Sequence, residues 1–372
     1  MRVGCPKEIK TQEFRVGLTP ESAQELARAG HEVFMETGAG LGIGADDALY
    51  VKSGATILPD AKSVFEAGEL IVKVKEPQLS ECAMLRPEQT LFTYLHLAPD
   101  PKQAEALMQS RATAIAYETV TDASGGLPLL KPMSEVAGRM AIQVGANFLE
   151  KSHGGRGVLM GGVPGVRPAD VVILGAGTAG YNAAQVAVGM RARVTVFDKN
   201  LLKLEQLDRE FNGRLETVYS TRAAVEDAVR EADVVIGAVL VVGGSAPKLV
   251  TRDMLKTMRP GAVLVDISID QGGCFETSHA TTHNDPVFEV DGILHYCVAN
   301  MPGAVARTSA FALNNATLPF TLALANKGTR RALLEDRHLA NGLNVHDGAI
   351  AHEAVARDLA KPFARPAWLT PQ

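Results

Sequence analysis

The chain has 372 residues, with 46% apolar and 21% charged residues and a net charge of −5. That length suits two domains of ordinary size. The mildly acidic balance gives no electrostatic reason to expect nucleic acid or an anionic membrane surface as a partner. The longest apolar stretch, around Val234 to Val242, contains Gly237 and is too short to span a bilayer.

The opening segment MRVGCPKEIK has no apolar signal region. Cys5, Cys82, Cys274 and Cys297 are scattered, with no C-x-x-C pair. They read as reduced thiols of a cytoplasmic protein, not as a disulfide or zinc framework, and no metal is expected.

Residues 1 to about 130 alternate between short strands and helices. Expected strands are Arg2–Gly4, His31–Met35, Leu70–Val74, Thr90–Leu95 and Thr113–Ala116. Expected helices are Pro20–Ala29, Asp46–Ser53, Ala61–Phe65 and Pro101–Ser110. This alternation implies a mainly parallel sheet with helices on both faces. Ligands of such sheets sit outside the carboxyl ends of the strands. Lys75 ends the run ELIVKVK, His96 ends TLFTYLH, and Arg15 lies in the loop after the first strand. Together they suggest a crevice that holds cations and a titratable imidazole, which suits an anionic substrate.

SEVAGRMAIQVGANFLEK, residues 134 to 151, reads as a helix with Ser134 as its N-cap and Pro132 barring an earlier start. Ala137, Ala141 and Gly145 recur every fourth residue, so another element, expected to be a helix, packs closely on that face. Ser134 also stands where it can reach a cofactor. Residues 153 to 170, rich in Gly and Pro, read as a loop or hairpin.

The stretch from 171 to 199 carries the strongest motif. An apolar run, Val171 to Leu174, enters the turn Gly175-Ala-Gly177-Thr-Ala-Gly180. A small-residue helix follows, then a β-branched strand ending in Asp198, eighteen residues after Gly180. Strand, G-x-G-x-x-G turn, helix, strand and acid form the dinucleotide-binding fingerprint. Gly175 permits the tight turn, Gly177 clears the pyrophosphate's approach, and Gly180 lets the helix close on the strand. The helix N-terminus offers N–H groups to phosphate. The Asp198 carboxylate suits ribose hydroxyls and repels a 2′-phosphate, which favours NAD over NADP.

Strands at 171–174, 193–197, 215–219, 233–236, 262–266 and 294–298 complete a six-stranded doubly wound domain, with a long irregular stretch before the last. AVLVD runs into ISIDQGG, so Asp270 lies on a glycine-rich loop where nicotinamide would sit. After Asn300 comes a long helical stretch, which Pro319 is expected to interrupt. One or two charged helices and a Pro-containing tail close the chain. The expected architecture is α/β: two doubly wound Rossmann-like domains with a cleft between them, joined by two long helices at 134–151 and 304–318. Residues 1–130 with 304–372 would form the substrate domain and 131–303 the NAD-binding domain.

Several blocks, in order, resemble the L-alanine dehydrogenase family, which also contains pyridine nucleotide transhydrogenases. They are GCPKEIKTQEFRVGLTP with LARAGHEV, MSEVAGRMAIQVGANFLE, GGVPGV, LGAGTAGYNAA, VDISIDQGG and HYCVANMPGAVARTSAFALNNATLP. The resemblance implies reversible oxidative deamination of L-alanine with NAD to pyruvate and ammonium. It makes His96 and Asp270 the catalytic pair, leaving open which is the acid–base at each step. It gives the substrate to Arg15 and Lys75, with Tyr94 and Asn300 lining the pocket. It gives the cofactor to Ser134, Thr178, Ala179, Asp198, Lys203, Ser220, Val239, Leu240, Ile267, Ser268, Ile269, Asp270 and the run Val298, Ala299, Asn300, Met301. It also implies a homohexamer. Four positions depart from the family: Gln12 for the usual Asn, Gly17 for Ala, Arg191 for Gly, and His279 where relatives often carry an Arg that contacts the cofactor. The rival expectations are the nucleotide-binding component of a proton-translocating transhydrogenase and a non-catalytic NAD sensor.

Overall fold

The computed structural model describes residues 1–239 and 246–369. Two compact units make up the chain, Met1–Met133 with Val305–Gln372, and Ser134–Ala304. In chain order the described strands are Arg2–Cys5 (β1), Glu32–Glu36 (β2), Ala55–Leu58 (β3), Leu70–Val72 (β4), Thr90–Thr93 (β5), Thr113–Ala116 (β6), Asp170–Leu174 (β7), Arg193–Asp198 (β8), Glu216–Tyr219 (β9), Val234–Gly237 (β10), Val263–Asp266 (β11), Val287–Val290 (β12), Ile293–Tyr296 (β13), Leu343–His346 (β14) and Ala349–Ile350 (β15). Among the described residues no helix is long and apolar enough to cross a membrane.

The first unit is built on one sheet of order β15-β14-β6-β5-β4-β1-β2-β3. β1 to β6 run parallel, and β4, β5 and β6 are buried at every residue. Burial on both faces accounts for their unbroken apolar or Thr-containing sequences. The far edge differs from expectation. β14 runs antiparallel to β6, and β15 folds back on β14. Asp347 and Gly348 join them with φ of 47° and 82°. Such a two-residue turn matches the twist of the strands, and its Asp-Gly pair is the signal for a hairpin that a tail of charged helices does not account for. β3, also unexpected, is a short, partly buried strand at the other edge.

The second unit has the order β12-β13-β11-β10-β7-β8-β9. All six expected strands are present and parallel. The order reverses between β7 and β10, which makes a doubly wound sheet with a switch point there. The stretch expected to be irregular contributes β12, antiparallel to β13 at the edge. Residues 163 and 166 pair across a tight turn within the expected loop or hairpin.

Two helices correct their expected forms. The first spans Lys131–Phe148, so Ser134 is its fourth residue and not its N-cap. Pro132 is tolerated because the first helical N–H groups have no partner inside the helix. Its small-residue face meets two neighbours. A Cβ at Gly138 would lie 2.0 Å from the Ala179 carbonyl oxygen of helix Thr178–Gly189. A Cβ at Gly145 would lie 3.0 Å from Val234 Cγ1, so strand β10 is the neighbour there instead of a helix. The second helix, Ala306–Lys327, runs straight through Pro319 and lies within the first unit. Pro319 is exposed, so the carbonyl it strands can be solvated, and the helix continues at the cost of one bond. The chain enters the first unit again through the short turn Met301–Val305 instead of a long helix.

Candidate active site

Strands β6, β5, β4 and β1 are adjacent and parallel, so their carboxyl ends share one edge of the first unit's sheet. Arg15 follows β1, Lys75 follows β4 and His96 follows β5. The fold therefore brings these three to the same edge. Each is held by a group that has no signal in its own motif.

Arg15 is buried and forked onto Glu13. Nε donates to Oε1 at 2.6 Å and Nη2 to Oε2 at 2.5 Å. Nη1 points at the Met133 sulfur, 3.1 Å away. Burial alone would lower the guanidinium pKa, but Glu13 outweighs it and the net shift is upward. Arg15 is thus a fixed, charge-paired fork.

Lys75 is half-buried and 4.0 Å from Glu76 Oε2. Glu76 also pairs with Lys10. Beneath lies Lys73, fully buried between Glu8 at 3.0 Å and Glu81 at 2.8 Å. Burial opposes its charge, yet the two carboxylates hold its pKa above the ordinary lysine value. Glu8 in turn accepts the Val74 N–H at 2.7 Å, which ties this triad to the backbone that carries Lys75.

His96 is exposed at the ring and has φ of 46°. Its backbone N–H donates to Glu118 at 2.6 Å. Tyr94 is buried, and its hydroxyl donates to the Leu129 carbonyl at 2.5 Å. Its ring lies 5.6 Å from that of His96 and parallel within 6°. The face of Tyr94 thus lies against the His96 ring, with the hydroxyl turned to the protein.

In the second unit the expected cofactor residues also gather at carboxyl ends. Gly175 adopts φ of 109°, and a Cβ there would meet the Ala238 carbonyl oxygen at 2.6 Å, so the turn closes onto the chain leaving β10. A Cβ at Gly180 would lie 1.7 Å from the Gly175 carbonyl oxygen. A Cβ at Gly177 would meet nothing within 4 Å, so the helix N-terminus at Thr178 and Ala179 stands open. This cradle fits a dinucleotide phosphate. Asp198 ends β8. One oxygen accepts the Ala176 N–H at 2.7 Å, the other the Asn200 N–H at 2.8 Å. The Ser220 N–H reaches the Asp198 carbonyl at 3.0 Å. Lys203 is exposed, and Ser134 is half-buried near the start of its helix. Leu240 lies outside the described residues.

After β11 the chain forms a short helix, Ile267–Gln271, with Asp270 exposed. Ser268 Oγ donates to the Val239 carbonyl at 2.7 Å. Asp266, fully buried, organises this turn. It accepts from the N–H groups of Ser268 at 3.0 Å and Cys274 at 2.9 Å and from the Ser278 hydroxyl at 2.6 Å. Burial nevertheless raises its pKa, against these donors. Lys248 Nζ donates to the carbonyls of Gly272 and Gly273. Val298, Ala299, Asn300 and Met301 follow β13, and the Ala299 N–H reaches the Thr281 carbonyl at 3.3 Å. Asn300 has φ of 62°, and Met301 is buried. His279 stacks on Phe288 with ring centroids 3.6 Å apart.

Two family models match. The alanine dehydrogenase/PNT N-terminal domain covers residues 4–137, and the alanine dehydrogenase/PNT C-terminal domain covers residues 141–353. The chain belongs to the alanine dehydrogenase/PNT family. It is 58% identical to the alanine dehydrogenase of Mycolicibacterium smegmatis over 98% of both chains. Among solved structures it is similar to an L-alanine dehydrogenase at 52% identity and a TM-score of 0.94, over 97% of this chain and 99% of that one. A transhydrogenase from Sinorhizobium meliloti gives 25% identity and a TM-score of 0.81, over 95% of this chain and 100% of that one.

Three of the four departing positions sit where the backbone is constrained. Gln12 and Arg191 have φ of 60° and 66°, where Asn and Gly are easier residues. A Cβ at Gly17 would lie 2.5 Å from the Val72 carbonyl oxygen, so glycine suits this close approach of the loop after β1.

Proposed function

We propose that the chain catalyses the reversible conversion of L-alanine, NAD and water to pyruvate, ammonium and NADH. The observation that carries this is the near full-length match to alanine dehydrogenases at 52% to 58% identity, against 25% for the transhydrogenase. Arg15, Lys75, His96 and Asp270 are all present. Bound NAD would supply the acceptor for the hydride of alanine Cα. Arg15 grips the substrate carboxylate with charge-assisted bonds and so fixes Cα. Lys75 binds the carbonyl oxygen of pyruvate. Protons must move as water adds to the iminium and ammonia leaves, work that suits an imidazole near neutrality. Asp270 orients the water or steadies the iminium charge. Asn300 would line the pocket, and Met301 would be among the residues that hold the cofactor. The cradle of Gly175, Gly177 and Gly180 and the residues named with it hold the dinucleotide. The active form is a homohexamer in the cytoplasm.

The test is NADH oxidation, followed by its absorbance, with pyruvate alone, ammonium alone and both together. Oxidation only with both is expected. Oxidation with pyruvate alone would make the enzyme a 2-hydroxyacid dehydrogenase. No oxidation in any mixture, with NADH still binding, would favour the transhydrogenase component or the sensor.

Asp198 carries a prediction about cofactor choice. Its carboxylate both holds the glycine-rich turn and repels a 2′-phosphate. Asp198→Ala loosens the turn for either cofactor and lifts repulsion for NADP alone. The lost charge-assisted bond is worth about 1.5–3 kcal/mol, so KM for NAD should rise roughly tenfold or more while the gap with NADP narrows. Steady-state kinetics with both cofactors check it. Unchanged discrimination would remove Asp198 from the ribose site.

A further inference from the structure

We propose that Glu118 is the positioning residue of His96, setting its backbone, its ring tautomer and its basicity. This rests on the proposed role of His96 in proton movement. His96 has φ of 46°, a region that non-glycine residues occupy at a cost and that neighbours must enforce. Glu118, just past β6, supplies that force. Its Oε1 accepts the His96 N–H at 2.6 Å, and both carboxylate oxygens lie 3.2 Å from the Leu95 N–H. The same carboxylate stands 3.9 Å from His96 Nδ1. It is half-buried, so solvent screens it only in part.

An anion facing Nδ1 favours the proton on that nitrogen and the lone pair on Nε2, which becomes the proton-accepting atom. As Nε2 gains a proton, the carboxylate stabilises the resulting imidazolium. This is the relation of base and orienting acid found in nucleophilic triads. The nearby cations have carboxylate neighbours of their own. Arg15 is matched by Glu13, and Lys75 stands beside Glu76. His352, at the start of helix Glu353–Asp358, has its pKa lowered by burial despite the carboxylate of Glu118. Burial thus works against a competing cation at that position. Tyr94, two residues before His96, stacks on its ring while its own hydroxyl is tied to Leu129.

Two variants of the full chain separate the backbone bond from the charge. Glu118→Gln keeps an oxygen for the His96 N–H and removes the charge opposite Nδ1. Glu118→Ala removes both. For Glu118→Gln, the imidazole limb of the kcat/KM pH profile should move to lower pH by about one unit, with the Kd for NADH unchanged. Glu118→Ala should lower kcat further, roughly tenfold below Glu118→Gln. A Glu118→Gln profile that superimposes on the parent's overturns the inference.

His96→Ala is measured beside them. If it is inactive while the Glu118→Gln profile is unshifted, the role of Glu118 alone fails. If His96→Ala turns over like the parent, the proposed role of His96 fails first. Should Glu118→Gln not fold, ¹⁵N imidazole spectra of the parent decide, with His96 assigned by difference from His96→Ala. A neutral ring protonated on Nδ1 supports the proposal, and one protonated on Nε2 overturns it.

Discussion

His96→Ala abolishes turnover in both directions and leaves NADH binding near the parent value. A positioned general acid–base contributes about 10²–10⁴-fold, and deamination needs protons delivered and removed around the same carbon. The binding half of the prediction follows from location. His96 sits on the first unit's sheet edge, whereas the glycine cradle and Asp198 belong to the second unit. Asp270→Ala should show the same loss of turnover, with more effect on NADH because Asp270 shares its turn with Ile267 and Ser268. Single-turnover rates and fluorescence titration with NADH check both. Loss of NADH binding in His96→Ala would mark it as structural. The more telling comparison is of KM with kcat. A proton-transfer role lowers kcat and leaves the KM for pyruvate near its parent value.

What was legible in the sequence was whatever is encoded within one βαβ span. The turn from Gly175 to Gly180, the helix behind it and Asp198 lie within a single short stretch, and each residue type has one steric or electrostatic reason to be there. The parallel strands were legible for a related reason. Burial on both faces demands apolar runs between turn signals, and β5, β6, β10 and β11 have them. The supports of the site were not legible, because they are long-range pairs. Lys73 and Glu8 are 65 residues apart, and His96 and Glu118 are 22 apart. Nothing in either local sequence announces the partner. Glu13, two residues from Arg15, reads as a loop acid until the fork between them is seen.

The errors in secondary structure have the same origin. Proline rules describe an isolated helix. Pro132 falls where a missing N–H costs nothing, and Pro319 is carried by a helix whose other face is buried at Leu313, Thr317 and Thr321. Packing overrides the local preference in each case. The hairpin of β14 and β15 was the exception, because its Asp347-Gly348 signal was local and available.

Lys73→Met destabilises the first unit by about 3–5 kcal/mol, the usual cost of leaving buried charges without their partner. Methionine keeps the length and apolar stem of lysine, so the loss is electrostatic and creates little cavity. For a unit of this size, the midpoint of thermal unfolding should fall by about 6–20 °C. The pH dependence fixes the cause. Burial already holds the Glu8 pKa above the ordinary carboxylate range, against the pull of Lys73 and the Val74 N–H. A carboxyl group raised in the folded state favours folding below its unfolded pKa, and that advantage is lost as pH rises through the folded value. Removing Lys73 raises the folded value further. The deficit of the variant is therefore greatest at neutral pH and shrinks on acidification toward the ordinary carboxylate range, where Glu8 is protonated and needs no cation. Adding Glu8→Gln to Lys73→Met should recover part of the loss at neutral pH and flatten the profile. Urea unfolding from pH 5 to 8 checks both. A deficit independent of pH would mean that Lys73 serves through packing alone. The functional consequence is measured alongside. Because Glu8 also holds the Val74 N–H, loosening the triad should raise the KM for pyruvate through Lys75 while the Kd for NADH is unchanged.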